Sequence, residues 1–566
     1  MHSRAEMKQE FVPRLSGVDR YETRVHIGLL IALGLLCTLP VLLHGAPDLS
    51  HDGIYHAIWA KQFAMQFWQG DWYPRWLSGV NAGLGGASGF FYPPLASYVS
   101  AAFWPLLASR DPDAWMAAGY SLVLAELLSG ITAYLWLRSL TKGKYALLGA
   151  AVYVIAPYHL AIDLYQRGAS AEFWVFVWLP LILLAGHGLT RNSAWALPVA
   201  GASSGLAAIS HPTVALWFTP MAIAYVAVLA DRKHRLRIAA SFSVALLLGF
   251  GLAAPYLAPA VLDQNKAHVD LQIAGWGQYQ HYWLWQDSND VRAMARYLFN
   301  AAAGRTTNVN WEVPFKGRIL AATLTTLAAI LLLFFVVRRF EQNKEARRAA
   351  WLCLAIALIY FFLMCRASAL FWKMLPFLKF TQFPYRLNVM LVACVAALAA
   401  LACPYLLQLR APVLTGLLAF LVLGWIGADL WVSTQVFSAW RAMPERVQLH
   451  RYWTRTQMEF LSMWPKSADV DRLQDFSTFD LFVASHPPKT ARLETLPGTS
   501  GIGTVQVEHW RPRNVVLKVR TPRDSQLIVN HFYYAGWQGW IAGTHAELAV
   551  SPSIDGLIEM DVPAGE

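Results

Sequence analysis

The stretch ILAATLTTLAAILLLFFVVRRFEQNKEARR, residues 319–348, decides the fold class of this sequence. Its first part, residues 319–337, contains no charged residue. About 20 apolar residues are enough for a helix to cross a bilayer. The basic segment that follows is typical of a short cytoplasmic loop, where Lys and Arg accumulate. The stretch therefore predicts a membrane helix that ends on the cytoplasmic side.

Similar apolar runs recur through most of the 566-residue chain, in which 56% of the residues are hydrophobic and 14% are charged. Soluble domains carry roughly 25% charged residues, so this composition indicates a polytopic membrane protein. We predict eleven membrane helices, at residues 25–43, 114–137, 145–164, 173–189, 194–210, 213–230, 237–262, 319–337, 349–365, 387–407 and 412–434.

The loops between these runs give the orientation. Lys and Arg are concentrated after the second, sixth and eighth runs, and Arg14, Arg20 and Arg24 precede the first. With eleven spans, all of these segments lie in the cytoplasm. The same loops account for the net charge of +11, so we expect a lipid bilayer and no nucleic acid as a partner. We expect a multi-pass protein of the cytoplasmic (inner) membrane of a prokaryote, with a cytoplasmic N-terminus and an extracytoplasmic (periplasmic) C-terminal region.

This pattern predicts two domains: an all-α polytopic membrane domain at residues 1–434 and a β-rich soluble region at residues 435–566. Two large outer loops are expected within the first domain, at residues 44–113 and 263–318. The apolar segment 92–109 is short and begins with a proline pair. As a twelfth span it would move the basic loops outside, so we expect an interfacial or re-entrant helix there.

The C-terminal region is polar and has no run long enough to cross a membrane. Two β-branched segments, residues 513–521 and 525–534, have turn residues between them and predict strands. Gly536, Gly539 and Gly543 punctuate a Trp-rich stretch, which we expect to form a hairpin.

The stretch PDLSHDGIYHA, residues 47–57, places two aspartates and two histidines just after the first predicted span. Ser50 suits the N-cap of a helix. Asp52 and His56 are four residues apart and so share one helix face. Carboxylates at the edge of the hydrocarbon usually face a water-filled cavity or a site. The alternative is that Asp52 only complements the positive end of its helix.

The same stretch raises the question of a metal. Asp48, His51, Asp52 and His56 are residue types that suit a divalent ion, but their spacing matches no fixed ligand pattern. We therefore assign no metal ligand and no certain cofactor, and a divalent metal stays an open alternative.

Two further polar clusters lie at predicted outer ends of spans. In DLYQRGASAEFW, residues 163–174, Arg167 and Glu172 bracket a turn of small residues, which would let a phosphate approach the backbone and the guanidinium. His211 precedes a proline at the outer end of another span, where a helix-end hydrogen bond is the alternative role. In KFTQFPYRLN, residues 379–388, the polar groups also fit an ordinary membrane belt. The polar residues of that last segment are Gln382, Tyr385 and Arg386.

These clusters converge on the outer side, and the sequence has no Walker or Rossmann fingerprint. Because nucleotides are not normally available outside the cytoplasm, an activated group would have to arrive on a lipid. A carboxylate could then take a proton from an acceptor hydroxyl, and an arginine could stabilise the departing lipid phosphate.

Four segments in the same order resemble a family. The acidic motif after the first span, YQRGASAEF, TQFPYR and HFYYAGWQGWIAG followed by VPAGE are similar to motifs of the GT-C superfamily of membrane glycosyltransferases. They most resemble the branch labelled "6-pyruvoyl-tetrahydropterin synthase related" membrane proteins and its YfhO-like relatives. Tyr385 stands where that branch has Trp, and Ala535 where it has Pro. Relatives commonly continue past Pro-Ala-Gly into a last membrane helix, so we leave open whether the chain is truncated.

The resemblance implies a GT-C-like fold and an inverting enzyme that uses a polyprenyl-phosphate sugar. The acceptor would be an extracytoplasmic cell-envelope glycan, lipid or protein. The general base maps onto Asp52, with Asp48 as the reserve and Glu172 as a further acidic candidate. Phosphate contact maps onto Arg167 and Arg386. The full set of expected substrate contacts is His51, His56, Arg75, Tyr165, Arg167, His211, Gln382, Tyr385 and Arg386.

Two other functions stay open. A transporter or flippase of lipid-linked glycans would need charged or broken helices near the midplane and often shows inverted repeats. The predicted spans have few interior charges, with Glu126 the clear exception, and we find no repeated half. A non-catalytic envelope assembly protein is the third possibility, favoured only by the Trp-rich tail.

Overall fold

The structure is a computed structural model. It describes residues 17–47, 49–107, 109, 114–274, 277–286, 290–296, 312–406, 412–439, 442, 444–494 and 503–566. The chain divides into two compact units. We call the first the helical unit; it comprises Met1–Gly53, Ala118–Ala254 and Gly277–Ala442. We call the second the mixed unit; it comprises Ile54–Ala117, Pro255–Trp276 and Met443–Glu566.

Long helices dominate the helical unit, and one of them, Trp115–Arg138, begins within the mixed unit. The helices are Gly17–Cys37, Leu39–His44, Trp115–Arg138, Gly143–Ile155, Tyr158–Arg167, Ser170–Thr190, Ala196–Ser210, Pro212–Leu229, Arg235–Leu252, Glu312–Phe340, Lys344–Leu363, Ala369–Met374, Asn388–Leu406 and Pro412–Thr434.

Nine helices in the described part of the chain are long and apolar enough to cross a membrane, which confirms a polytopic helical protein. The other two predicted spans coincide with helices that fall short. Ala196–Ser210 has 15 residues, or about 22 Å of helix, less than the roughly 30 Å of a bilayer core. Gly17–Cys37 begins with charged residues over its first two turns.

The helix Asn388–Leu406 forms the centre of the helical unit. Almost all of its residues are buried, and they are mostly Ala, Val and Leu. Small side chains allow its neighbours to come close: a Cβ at Gly149 would lie 2.7 Å from the Cβ of Ala400. Such small-residue contacts are how helices pack in membranes, where water no longer drives apolar surfaces together. This buried helix fixes the position of Arg386, which lies just before it.

A rare π-helix, Tyr158–Arg167, follows Gly143–Ile155 and is buried along its whole length. The break falls at Ala156, whose ψ of 132° is not helical, because a residue that precedes a proline is disfavoured in the α conformation. The π-helix ends at Gly168, whose φ of +64° is a left-handed conformation. A Cβ there would also lie 2.2 Å from Ser50 Oγ. Glycine is therefore required where the π-helix meets the loop before Asp52.

In its described residues, the mixed unit combines short helices with eight strands. The helices are Gly53–Trp68, Ser88–Phe91, Leu95–Leu107, Ala254–Leu262, Pro444–Thr456, Val470–Leu473 and Phe476–Ser485; Gly53 and Ala254, the first residues of two of them, belong to the helical unit. The strands are β1 Ala491–Glu494, β2 Thr504–Arg511, β3 Asn514–Arg520, β4 Ser525–Phe532, β5 Gly539–Trp540, β6 Glu547–Leu548, β7 Val550–Pro552 and β8 Leu557–Val562. The main antiparallel sheet has the order β1-β4-β8-β7, and β2–β3 and β5–β6 are separate antiparallel pairs.

The β-rich tail is confirmed, with one difference from the sequence expectation. β3 and β4 lie where strands were predicted, and β5 and β6 form the expected hairpin. The strands begin only at Ala491, however, and the residues before them are largely helical. Asp469 and Asp475 cap two of these helices by accepting backbone N–H groups, which explains why those segments start as helices. The predicted interfacial segment contains the 13-residue helix Leu95–Leu107, which is too short to span a bilayer.

Candidate active site

Arg167 lies at the centre of a buried group of charges in the helical unit. Its Nη1 donates to Asp163 Oδ1 and to Glu172 Oε2, each at 2.6 Å. Its Nη2 lies 3.6 Å from Asp52 Oδ2. Arg386 joins the group through Glu172, because its Nε lies 3.0 Å from the same Oε2. We call these five residues the arginine cluster.

Glu172 is the most heavily bonded carboxylate of the arginine cluster. Besides the two arginines, it accepts a hydrogen bond of 2.7 Å from the hydroxyl of Tyr158. It lies in the first turn of Ser170–Thr190, where the helix dipole favours a negative charge. Arg386 donates in addition to the carbonyl of Thr381 at 2.9 Å. Opposite charges at these distances offset part of the cost of burying them, although Asp163 Oδ2 and Arg167 Nε and Nη2 have no hydrogen-bond partner among the described residues.

The arginine cluster is closed at one end and open at the other. The side chains of Asp163, Arg167 and Glu172 are at most 1% exposed, whereas Asp52 is 13% exposed and its neighbour His51 is 31% exposed. Asp52 is therefore the carboxylate of the cluster that a substrate can reach. The buried members form a charged support behind it.

The loop that carries Asp52 is joined directly to the end of the π-helix. The backbone N–H of Asp52 donates to the carbonyl of Arg167 at 2.6 Å, and that of His51 donates to Gln166 at 3.1 Å. The His51 ring adds a contact of 2.7 Å between its Nδ1 and Asp52 Oδ1. Ser50 Oγ accepts a hydrogen bond of 3.2 Å from the N–H of Gly53, the first residue of the helix Gly53–Trp68. The carboxylate is thus held by backbone and side-chain contacts together.

Several predicted substrate contacts lie around the arginine cluster. The Tyr385 ring lies 5.6 Å from the Arg167 guanidinium. Tyr165 donates a hydrogen bond to the carbonyl of Cys37. His211 caps the helix Pro212–Leu229 by accepting from a backbone N–H at 3.4 Å, the alternative role considered for it. Gln382 has a φ of +57°, in the turn before Arg386.

Other predicted site residues are elsewhere. His56 and Arg75 belong to the mixed unit. His56 lies 3.2 Å from the Tyr92 hydroxyl, and Arg75 donates to the carbonyl of Pro255 at 2.8 Å. Asp48 is outside the described residues. Among the residues that are described, no group of three or more His, Cys, Asp or Glu side chains is arranged to hold a metal ion.

An apolar cavity of about 470 Å³ opens beside the π-helix, between it and the helices Glu312–Phe340 and Pro412–Thr434. Its walls include Phe420, Trp425 and Trp431, and Arg318 is part of its lining. The Arg318 guanidinium lies 4.5 Å above the Trp431 ring. An aromatic and aliphatic cavity with one guanidinium suits a lipid chain that carries an anionic group.

Two contacts join the cavity to the arginine cluster. Arg318 Nη1 lies 3.4 Å from Gln166 Oε1, and Gln166 directly precedes Arg167. Phe315, one turn before Arg318, packs its ring 5.4 Å from the His51 ring. Arg318 is not among the predicted site residues, because it directly precedes the apolar run 319–337 and resembles an ordinary helix-end anchor. Asp163 is not among them either, although a carboxylate four residues before Arg167 is a recognisable helical pair.

No family model matches the chain, and no curated protein matches it. Solved structures give distant likenesses. The oligosaccharyltransferase of Archaeoglobus fulgidus in its apo form has 14% identity and a TM-score of 0.40, and the match covers 79% of this chain and 61% of that one. AglB from the same organism, in complex with an inhibitory peptide and a dolichol-phosphate, gives 15% identity, a TM-score of 0.37, and coverage of 79% and 61%.

ArnT from Cupriavidus metallidurans, in the apo state, gives 14% identity and a TM-score of 0.30, and the match covers 66% of this chain and 76% of that one. The chain therefore spans about 61% of the length of the archaeal enzyme it matches. Because every one of these TM-scores is below 0.5, we draw no family and no function from the likenesses.

Proposed function

We propose that the protein is a membrane glycosyltransferase of the GT-C type, which moves a sugar from a polyprenyl-phosphate carrier to an extracytoplasmic acceptor. One observation carries the proposal: Asp52 is a reachable carboxylate at the open edge of a buried charge cluster. The four-motif resemblance described above supports the same reaction class.

In the proposed step, Asp52 is the general base. It takes the proton of an acceptor hydroxyl, and the oxygen of that hydroxyl bonds to the anomeric carbon of the sugar. The bond from that carbon to the carrier phosphate breaks, and the polyprenyl phosphate leaves with the electron pair. Attack from the face opposite the phosphate inverts the anomeric carbon. A positioned base of this kind contributes about 10²–10⁴-fold to a rate.

Arg167 supports the base rather than the phosphate in this proposal. Its Nη1 is already shared between Asp163 and Glu172, and the side chain is fully buried. Its positive charge attracts the Asp52 carboxylate and resists rotation of that side chain away from the open edge. His51 adds a second contact to the other carboxylate oxygen.

Arg318 takes the phosphate in this proposal. The apolar cavity accepts part of the polyprenyl chain, and the guanidinium at its wall meets the anionic headgroup. Gln166 and Phe315 connect this wall to the Asp52 loop, so the carrier phosphate and the base would approach one sugar from two sides. The acceptor stays a cell-envelope glycan, lipid or protein.

The test is a product assay on the purified protein in liposomes. Radiolabelled polyprenyl-phosphate sugars are supplied with a membrane extract as the source of acceptors, and released polyprenyl phosphate is measured together with labelled product. We expect stoichiometric formation of both. Movement of the donor across the bilayer without new bonds would identify a flippase and overturn the proposal. Neither transfer nor movement with any polyprenyl-phosphate sugar would also overturn it.

A further inference from the structure

A second pair of ionisable side chains lies buried in the helical unit, outside the arginine cluster. Glu126 lies within Trp115–Arg138, and His159 lies in the first turn of the π-helix. Glu126 Oε2 is 3.3 Å from His159 Nε2, and neither side chain is exposed. The contact has the distance of an ion pair, although its atoms are not aligned as a hydrogen bond. Ionisable groups are costly within a membrane, so their retention needs a reason.

The other nitrogen of His159 shows where one proton of the pair lies. Nδ1 lies 2.9 Å from the carbonyl oxygen of Tyr153. A carbonyl only accepts, so Nδ1 carries a hydrogen. Nε2 then faces Glu126 either without a hydrogen, opposite a protonated carboxyl, or with one, as an imidazolium opposite a carboxylate. Both states are neutral overall, whereas loss of the shared proton would leave an isolated charge in the membrane.

His159 also joins the elements that carry the arginine cluster. Its ring stacks on Phe176 with centroids 3.8 Å apart, and Phe176 belongs to the helix that begins beside Glu172. His159 itself belongs to the π-helix that carries Asp163 and Arg167. One side chain therefore fixes the start of the π-helix against the Glu126 helix and the Glu172 helix together.

A π-helix needs such external contacts. It is rare, appears mostly as single turns, and is frequently found at functional sites. Here it runs for ten residues, and its last residue is Arg167. Return of this segment to α-helical hydrogen bonding would rotate Asp163 and Arg167 relative to Glu172 and Asp52. The contacts at its first turn thus oppose a change that would disorganise the arginine cluster.

We infer that Glu126 and His159 are positioning residues: their contact holds the π-helix in register and thereby places Arg167 behind Asp52. The kinetic part of this inference rests on the proposed function, and the structural part does not. The pair needs a polar contact rather than a net charge, since its neutral states suffice.

The test compares Glu126→Leu with Glu126→Gln in the full chain. Gln keeps a neutral donor for Nε2, and Leu removes it with an apolar side chain that suits the membrane. We expect Glu126→Leu to lower kcat by tenfold to about 100-fold with the KM for the donor unchanged, since small misplacements of catalytic groups have effects of this order. Glu126→Gln should keep the wild-type kcat.

Hydrogen exchange gives a second readout that does not depend on activity. We expect faster exchange of the amides of residues 158–168 in Glu126→Leu and wild-type exchange in Glu126→Gln. If the wild-type protein transfers no sugar, the proposed function fails, and the exchange data alone decide this inference. Wild-type exchange in Glu126→Leu, or an equal loss in Glu126→Gln, would overturn it. Should Glu126→Leu not fold, His159→Phe makes the same comparison, because Phe retains the stack on Phe176.

Discussion

Two arginines of the helical unit have opposite surroundings. Arg167 is enclosed by carboxylates and fully buried. Arg318 lines an apolar cavity of about 470 Å³ and rests on the ring of Trp431. The difference indicates that the two arginines have different roles. The charge of Arg167 organises the site, and the charge of Arg318 faces the space that a lipid phosphate can enter.

Replacing each arginine by Met gives the largest expected contrast. Arg167→Met leaves Asp163 and Glu172 with too little positive charge, and breaking a buried pair costs about 3–5 kcal/mol. We expect a strong fall in the thermal stability of the protein in detergent. Arg318→Met should stay close to the wild-type midpoint. Equal midpoints for the two variants would show that Arg167 does not hold the site together.

Substrate binding should depend on Arg318, the arginine whose replacement has the smaller effect on stability. Arg318→Met removes the guanidinium proposed to meet the carrier phosphate, and a charged hydrogen bond is worth about 1.5–3 kcal/mol. We expect the KM for a polyprenyl-phosphate sugar to rise by tenfold to about 100-fold. Arg318→Lys is the matched control and should recover part of the loss. An unchanged KM in Arg318→Met would move the phosphate site elsewhere.

A smaller effect should come from Tyr158, which donates one hydrogen bond to Glu172. Tyr158→Phe removes that donor and leaves the two arginines in place, so we expect a loss of about 1.5–3 kcal/mol in the free energy of unfolding, the usual range for a hydrogen bond to a charged group. The measurement is the unfolding midpoint beside that of Tyr153→Phe, whose hydroxyl donates to the carbonyl of Phe176 instead. A loss of stability as large as that of Arg167→Met would mean that the Tyr158 hydroxyl, and not Arg167, is the main stabilising partner of Glu172.

The mixed unit also contains a buried carboxylate, Glu459. It hydrogen-bonds a side-chain amide, whereas the partners of Glu172 include two arginines. Glu459 is fully buried, and the Asn81 side-chain nitrogen lies 3.3 Å from its Oε1. Burial raises the pKa of Glu459 well above its usual range. The folded chain therefore retains a proton that the unfolded chain releases above about pH 4.3, so the stability contribution of Glu459 falls as the pH rises from there.

Glu459→Gln mimics the protonated form and should remove this pH dependence. We expect the variant to match the wild-type unfolding midpoint near pH 4 and to exceed it by a few degrees at pH 7. Tryptophan fluorescence during heating in detergent provides the measurement. A wild-type midpoint that rises relative to the variant between these pH values would contradict the predicted sign.

Local features of the sequence were enough for the broad architecture. A run such as residues 319–337 predicts its helix because length and hydropathy alone determine whether a segment suits a bilayer. β3 and β4 follow from β-branched residues and turns for a similar reason. The predicted polytopic helical architecture and the β-rich C-terminal region are therefore confirmed, although the first strand of that region begins only at Ala491.

The site depended on contacts that no local pattern contains. Arg167 and Glu172 stood out because polar residues at span ends are conspicuous, and the role of each stays a prediction. The π-helix was not foreseen, because its residues also suit an α-helix and its register depends on contacts such as that of His159 with Glu126, far away in the chain. Arg318 looked like a helix-end anchor until the fold placed a cavity beside it.

The most direct test of the central claim is sugar transfer by Asp52→Asn. Asn has nearly the shape of Asp and keeps a polar contact to His51, so the protein should insert and melt like the wild type. The Asn side chain cannot take the proton from the acceptor hydroxyl, as the Asp52 carboxylate does in the proposed step. We predict a kcat at least about 100-fold below the wild-type value. The thermal unfolding midpoints of the variant and the wild type should be equal. Wild-type transfer by folded Asp52→Asn would show that Asp52 is not the base.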